Sequence, residues 1–89
     1  NTDAMPIRVV RMRKVTFIDA TGLHNLEIFI NASKKEGRAV ILSGVHDNVE
    51  KSLQKAGLVE LVGKENVCNN IHLALQRASE LSAAMGLKK

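Results

Sequence analysis

Apolar positions along the chain alternate between short continuous runs and helical stripes. Ile7–Met12 (Ile-Arg-Val-Val-Arg-Met) mixes β-branched residues with arginine. Pro6 suits the start of such a strand, because proline has no amide to give to a ladder. Val15–Ile18 continues toward Asp19-Ala20-Thr21-Gly22. Beyond that turn Leu23, Leu26, Ile30 and Ser33 recur at helical spacing, with Phe29 and Ala32 widening the apolar face. Asp19 is placed to cap the first turn, where a short acceptor satisfies amides that lack a partner within the helix, and the helix should end near Gly37. Ala39–Leu42, bounded by Gly37 and Gly44, is a continuous apolar run and predicts a central strand covered on both faces.

Asp47 precedes Glu50 by three residues, the spacing of a capping box, and Val49, Leu53 and Ala56 form one stripe before Gly57. A left-handed Gly57 just past the helix end would fold Leu58 back onto Leu53. Val59–Val62, closed by Gly63, reads as a third short strand. Asn69 or Asn70 caps a last helix whose stripe is Ile71, Ala74, Leu75, Ala78 and Leu81, with His72, Gln76, Arg77 and Glu80 on the wet side. The order β-α-β-α-β-α predicts an α/β fold, a small sheet with mostly parallel core strands and flanking helices. Residues 1–6 read as a linker or tail, 7–84 as the one domain, and 85–89 as a disordered tail.

Composition narrows the picture. The 89 residues allow one core, and with two Phe and no Trp or Tyr that core is aliphatic. A net charge of +4 is modest, and the shortage of aromatics leaves no stacking platform, so nucleic acid is not an expected partner. No apolar run approaches the ~20 residues of a spanning helix. The single cysteine, Cys68, excludes an internal disulfide and suits a reducing compartment. The chain starts at Asn1 with no initiator Met and no leader-like pattern, as expected of a piece of a longer polypeptide.

In an open parallel sheet, ligands bind where loops leave the carboxyl ends of neighbouring strands. Those loops are Asp19-Ala20-Thr21-Gly22 and Ser43-Gly44-Val45-His46, each leading into a helix whose first amides point outward, a candidate anion, nucleotide or partner surface. The plain alternative is that Asp19 and Asp47 are caps and the glycines serve turns. His24, His46 and His72 have no metal-ligand spacing, and Cys68 has no base or second thiol beside it. No metal and no cofactor is expected. Arg8, Arg11, Arg13 and Lys14 face phosphates, lipid head groups, an acidic partner or only solvent. A receiver domain would need an acidic cluster for a divalent ion, and Asp19 is the only carboxylate at such a position. No nucleophile, base and orienting group occur together, which argues against an enzyme.

Three blocks, Val-Thr-Phe-Ile-Asp-Ala-Thr-Gly-Leu-His (Val15–His24), Val-Ile-Leu-Ser-Gly-Val (Val40–Val45) and Leu-Gln-Lys-Ala-Gly-Leu (Leu53–Leu58), resemble in order and spacing the STAS domain of SulP-type sulfate and anion transporters. The resemblance runs from about Ile7 to Ala78. It implies a non-catalytic regulatory and interaction domain on the cytoplasmic face of the inner (plasma) membrane. Its partners would be the transmembrane domain of the same chain and an unidentified cytosolic protein. The fold is shared with anti-sigma factor antagonists, in which a serine of an Asp-Ser-x-Gly loop is phosphorylated. A stand-alone signalling module of that kind is the alternative. Here Ala20 stands at the serine position, and Thr21 retains the neighbouring hydroxyl. The family's domain also begins with a hairpin upstream of the Ile7 strand. Only Asn1–Pro6 stands there, so a missing hairpin, an open sheet edge and association between copies are expected.

Overall fold

The computed structural model describes residues 7–84, so the expected linker at 1–6, the tail at 85–89 and the question of an upstream hairpin lie outside the described residues. The elements are β1 (Ile7–Arg11), α1 (Ala20–Lys35), β2 (Ala39–Ser43), α2 (Asp47–Lys55), α3 (Leu58–Val62), a 3-10 turn (Lys64–Asn66) and α4 (Ile71–Ala84). The α/β class holds. β1 and β2 pair in parallel, with Ile7 opposite Ala39 and Arg11 opposite Ser43. On its other side β2 meets Val67 through a parallel bridge from Leu42, with the Cys68 amide donating to the Leu42 carbonyl at 2.8 Å. β2 is therefore central, as its unbroken apolar run predicts.

Val59–Val62 is not a strand. It lies in α3, between Gly57 (φ 77°) and Gly63 (φ 101°), and Leu61 donates its amide to the Gly57 carbonyl at 3.2 Å. Leu58, Val59 and Val62 are buried while Glu60 is exposed, a helical face that so short a Leu- and Val-rich run does not distinguish from a strand. The third extended contact falls instead at Val67.

Period-two alternation along β2 splits the core into two layers. Val40 and Leu42 join Met12, Ile30, Val49, Leu53, Leu58 and their neighbours under α1, α2 and α3. Ile41 faces the other way, with Cys68 and Ala74, under α4. Leu53 and Leu58 are buried in the same cluster and Gly57 is left-handed, as the turn chemistry requires.

Smaller expectations shift. Asp47 is the first residue of α2 and His46 holds the cap position without a side-chain bond, so no capping box forms. The acidic Asp47 and Glu50 still complement the helix amino end. Ala32 and Ala56 are exposed, at the edge of the α1 stripe and at the α2 terminus. Leu75 is 57% exposed, because the two-strand sheet is narrower than the stripe assigned to α4. Arg77 is half-buried, its Nε donating to Asn66 Oδ1 at 2.7 Å.

Candidate functional site

The connection from β1 to α1 decides which groups meet at the carboxyl end of the sheet. β1 is prolonged by the Met12 amide, which donates to the Ser43 carbonyl at 2.7 Å, and the chain then turns at Arg13–Lys14 with Val15 donating back to Met12 at 2.9 Å. Val15 and Ile18 lean on the larger core while Phe17, between them, is 73% exposed. Two side chains of the next crossover hold this excursion in place. His46 Nε2 bonds the Arg13 carbonyl at 2.6 Å, and Asn48 Nδ2 donates to the Thr16 carbonyl at 2.6 Å.

Asp19 caps α1 as expected, its Oδ1 accepting the Gly22 amide at 2.9 Å while its carbonyl accepts the Leu23 amide at 2.9 Å. Ala20 and Thr21 are exposed in the first turn. Ser43 is buried, and Gly44 follows it with φ 69°. A Cβ on Gly44 would stand 2.9 Å from the Arg13 Cα, so only glycine admits both the left-handed turn and the close approach.

The strands are neighbours and parallel, yet the two loops open into different hollows. Asp19 and Gly22 border an apolar groove of about 540 Å³ walled by Val10, Met12, Phe17 and Leu26. Ser43, Gly44, His46 and Ile71 border a second recess of about 260 Å³ with Arg11, Arg13, Asn69 and Asn70. Asp19–Gly22 and Ser43–Gly44 thus border separate hollows. Arg11 touches both hollows and, with Arg13 and Lys14, lines a third. The eight-residue excursion places Arg13, not Asp19, beside Gly44. Sequence spacing shows the length of that excursion and not its path, and Asn69 and Asn70 read from sequence only as caps. Asn70 is one, its Oδ1 accepting the Leu73 amide at 2.9 Å.

The four cations of β1 and the turn after it separate in the fold. Arg8 reaches Glu36 at 3.7 Å and lies over the Phe29 ring at 5.8 Å, while Arg38 also reaches Glu36, at 3.4 Å. Arg11, Arg13 and Lys14 have no carboxylate within ion-pair distance among the described residues. Among those residues no three His, Cys, Asp or Glu side chains gather to hold a metal ion. Cys68 is buried, and burial pushes its thiol up from 9.0 against a weaker opposing pull from Arg77, so it stays protonated at neutral pH.

A family profile described as the STAS domain matches residues 7–77, which takes in both strands, the crossover helices and the first half of α4. The chain belongs to the STAS domain family. Two solved structures superpose closely on this STAS domain. One is a sulfate transporter family protein from Wolinella succinogenes, with TM-score 0.83 and 38% identity over 88% of this chain and 64% of that one. The other is a SulP transporter STAS domain from Vibrio cholerae, with TM-score 0.82 and 39% identity over 88% of this chain and 62% of that one. A probable sulfate transporter 4.2 of Arabidopsis thaliana is 32% identical over 68 residues, which are 76% of this chain and 10% of that protein. The chain thus spans about a tenth of that curated relative's length. No helix among the described residues is long and apolar enough to cross a membrane.

Proposed function

We propose that this STAS domain is the non-catalytic regulatory and protein-interaction domain of a SulP-type transporter for sulfate or a related anion. In this reading it is held at the cytoplasmic face of the inner (plasma) membrane by a transmembrane domain in the same polypeptide. The observation that supports it is the pair of transporter-derived relatives at 38% and 39% identity. The absence of a reactive constellation among the described residues fits a binding role: Cys68 is buried and protonated, and Ser43 is buried. The alternative, a stand-alone antagonist-like module switched by phosphorylation, draws on one feature, the exposed Thr21 hydroxyl in the first turn of α1. Ala20 beside it offers no acceptor, which favours the transporter reading.

Fractionation of the full polypeptide that carries this domain tests the proposal. It should sediment with membranes, and protease added to sealed vesicles should remove the domain only when the cytoplasmic face points outward. Recovery of the intact polypeptide in the soluble fraction overturns the transporter reading and favours the signalling module.

A further inference from the structure

The two loops at the carboxyl end of the sheet differ in the charge they present. At α1 the free amides already face a carboxylate, since Asp19 Oδ1 takes the Gly22 amide. An incoming anion there would meet a negative group at the position it needs. The recess beside Gly44 has no carboxylate among its lining residues and two arginines, Arg11 and Arg13.

Arg13 is rooted unusually firmly for an exposed residue. Its carbonyl is bonded to His46, the preceding amide donates to Ser43, and its Cα packs where a Gly44 side chain would stand. Arg11 sits in register with Ser43 at the end of β1. Two cations two residues apart line one hollow, and neither is paired with an acid among the described residues, so an anion there would offset their charge. Across the recess Asn70 commits its carbonyl oxygen to the Leu73 amide, which leaves its NH₂ as a donor, and Asn69 adds a second amide. At about 260 Å³ the recess is below the ~300 Å³ at which drug-sized ligand pockets begin, so it suits a compact ion or a single phosphate group.

We infer that this recess binds a doubly charged tetrahedral oxyanion, sulfate or a phosphate group, between the Arg11 and Arg13 guanidinium groups. Planar guanidinium forks match the paired oxygens of such an ion, and the anion offsets two charges that no carboxylate compensates. The inference goes beyond the transporter reading and does not need it, because binding is measured on this chain alone whereas fractionation tests the other.

The experiment is an amide NMR titration of the 89-residue chain with sodium sulfate, sodium phosphate and adenosine monophosphate in turn, chloride holding ionic strength constant. Saturable shifts are expected at Arg13, Gly44, Asn69 and Asn70, with the amides of Ala20–Leu23 unmoved. R11Q/R13Q should weaken binding by about tenfold or more, while K35Q/K55Q, which removes the same charge at the far ends of α1 and α2, should leave it within about twofold. R11K/R13K keeps charge and fold but loses the fork, and should fall between them. Saturation by the simple ions identifies a free anion as ligand, and saturation by adenosine monophosphate alone identifies a phosphate ester. Shifts that stay linear in every titrant, or equal affinity in R11Q/R13Q and K35Q/K55Q, overturn the inference.

Discussion

β2 sends alternate residues into two apolar layers of unequal depth. On one side Val40 and Leu42 meet three helices and a cluster that also takes in Met12, Ile30, Val45, Val49, Leu53 and Leu58. On the other side Ile41 packs with Cys68, which precedes α4, and with Ala74 of α4, with Ile7, Val9, Ile71 and Leu81 half-buried around them. Both Ile41 and Leu42 are fully buried, so burial of a single residue does not reveal the difference. Depth of the surrounding layer does: the first side has several shells of apolar neighbours to lose, and the second has one helix whose Leu73 and Leu75 point to water. Stability is accordingly concentrated under α1, α2 and α3. The recess with Arg11 and Arg13 sits where β1, β2 and the α4 start converge, at the seam between the two layers.

The comparison is broken most forcefully at Leu53. Leu53→Ala removes a fully buried side chain from the deep layer and should cost about 2 to 4 kcal/mol, read as a lower urea midpoint with unchanged slope. A midpoint equal to the parent's would mean that the deep layer does not hold the fold. At the turn beneath it, Gly57→Ala should cost about 1 kcal/mol, because φ is 77° and the added Cβ meets no neighbour, leaving only conformational strain. Gly44→Ala, with φ 69° and the Arg13 backbone in the way, should cost more than Gly57→Ala in the same assay.

The shallow layer responds to pH through Cys68. Burial raises its thiol above 9.0, so the unfolded chain releases that proton first as pH rises. The contribution is fully present below 9.0 and is lost as pH climbs from there through the folded value. Unfolding midpoints measured on either side of pH 9.0 should therefore fall less steeply in Cys68→Ser than in the parent; identical slopes would place the thiol in a solvated setting. The smallest effect is expected at Leu75→Ala, within about 0.5 kcal/mol, since the side chain is 57% exposed.

Where local chemistry decides an element, it is legible in the residues. Asp19 caps α1, Asn70 caps α4, Gly57 takes the left-handed turn, and the apolar run Ala39–Leu42 becomes the central strand. Where tertiary packing decides, it is not. Val59–Val62 has strand propensity but is helical because Leu58, Val59 and Val62 share one buried face. Leu75 fits the α4 stripe but lacks a sheet wide enough to cover it. The site shows the same division. The loop after β2 is readable as a candidate site from Ser43 and Gly44, but its approach to Arg11 and Arg13 depends on how Val15, Ile18 and the His46 bond fold the intervening excursion.

Radiolabelled sulfate uptake by cells expressing the full polypeptide that carries this domain tests the central claim most directly. The account predicts that removing residues 7–84 abolishes uptake, that Leu53→Ala lowers it in step with loss of folded domain, and that Leu75→Ala leaves it at the parent level. Uptake that is unchanged when the domain is removed, at equal amounts of polypeptide in the membrane, would contradict a regulatory role in transport.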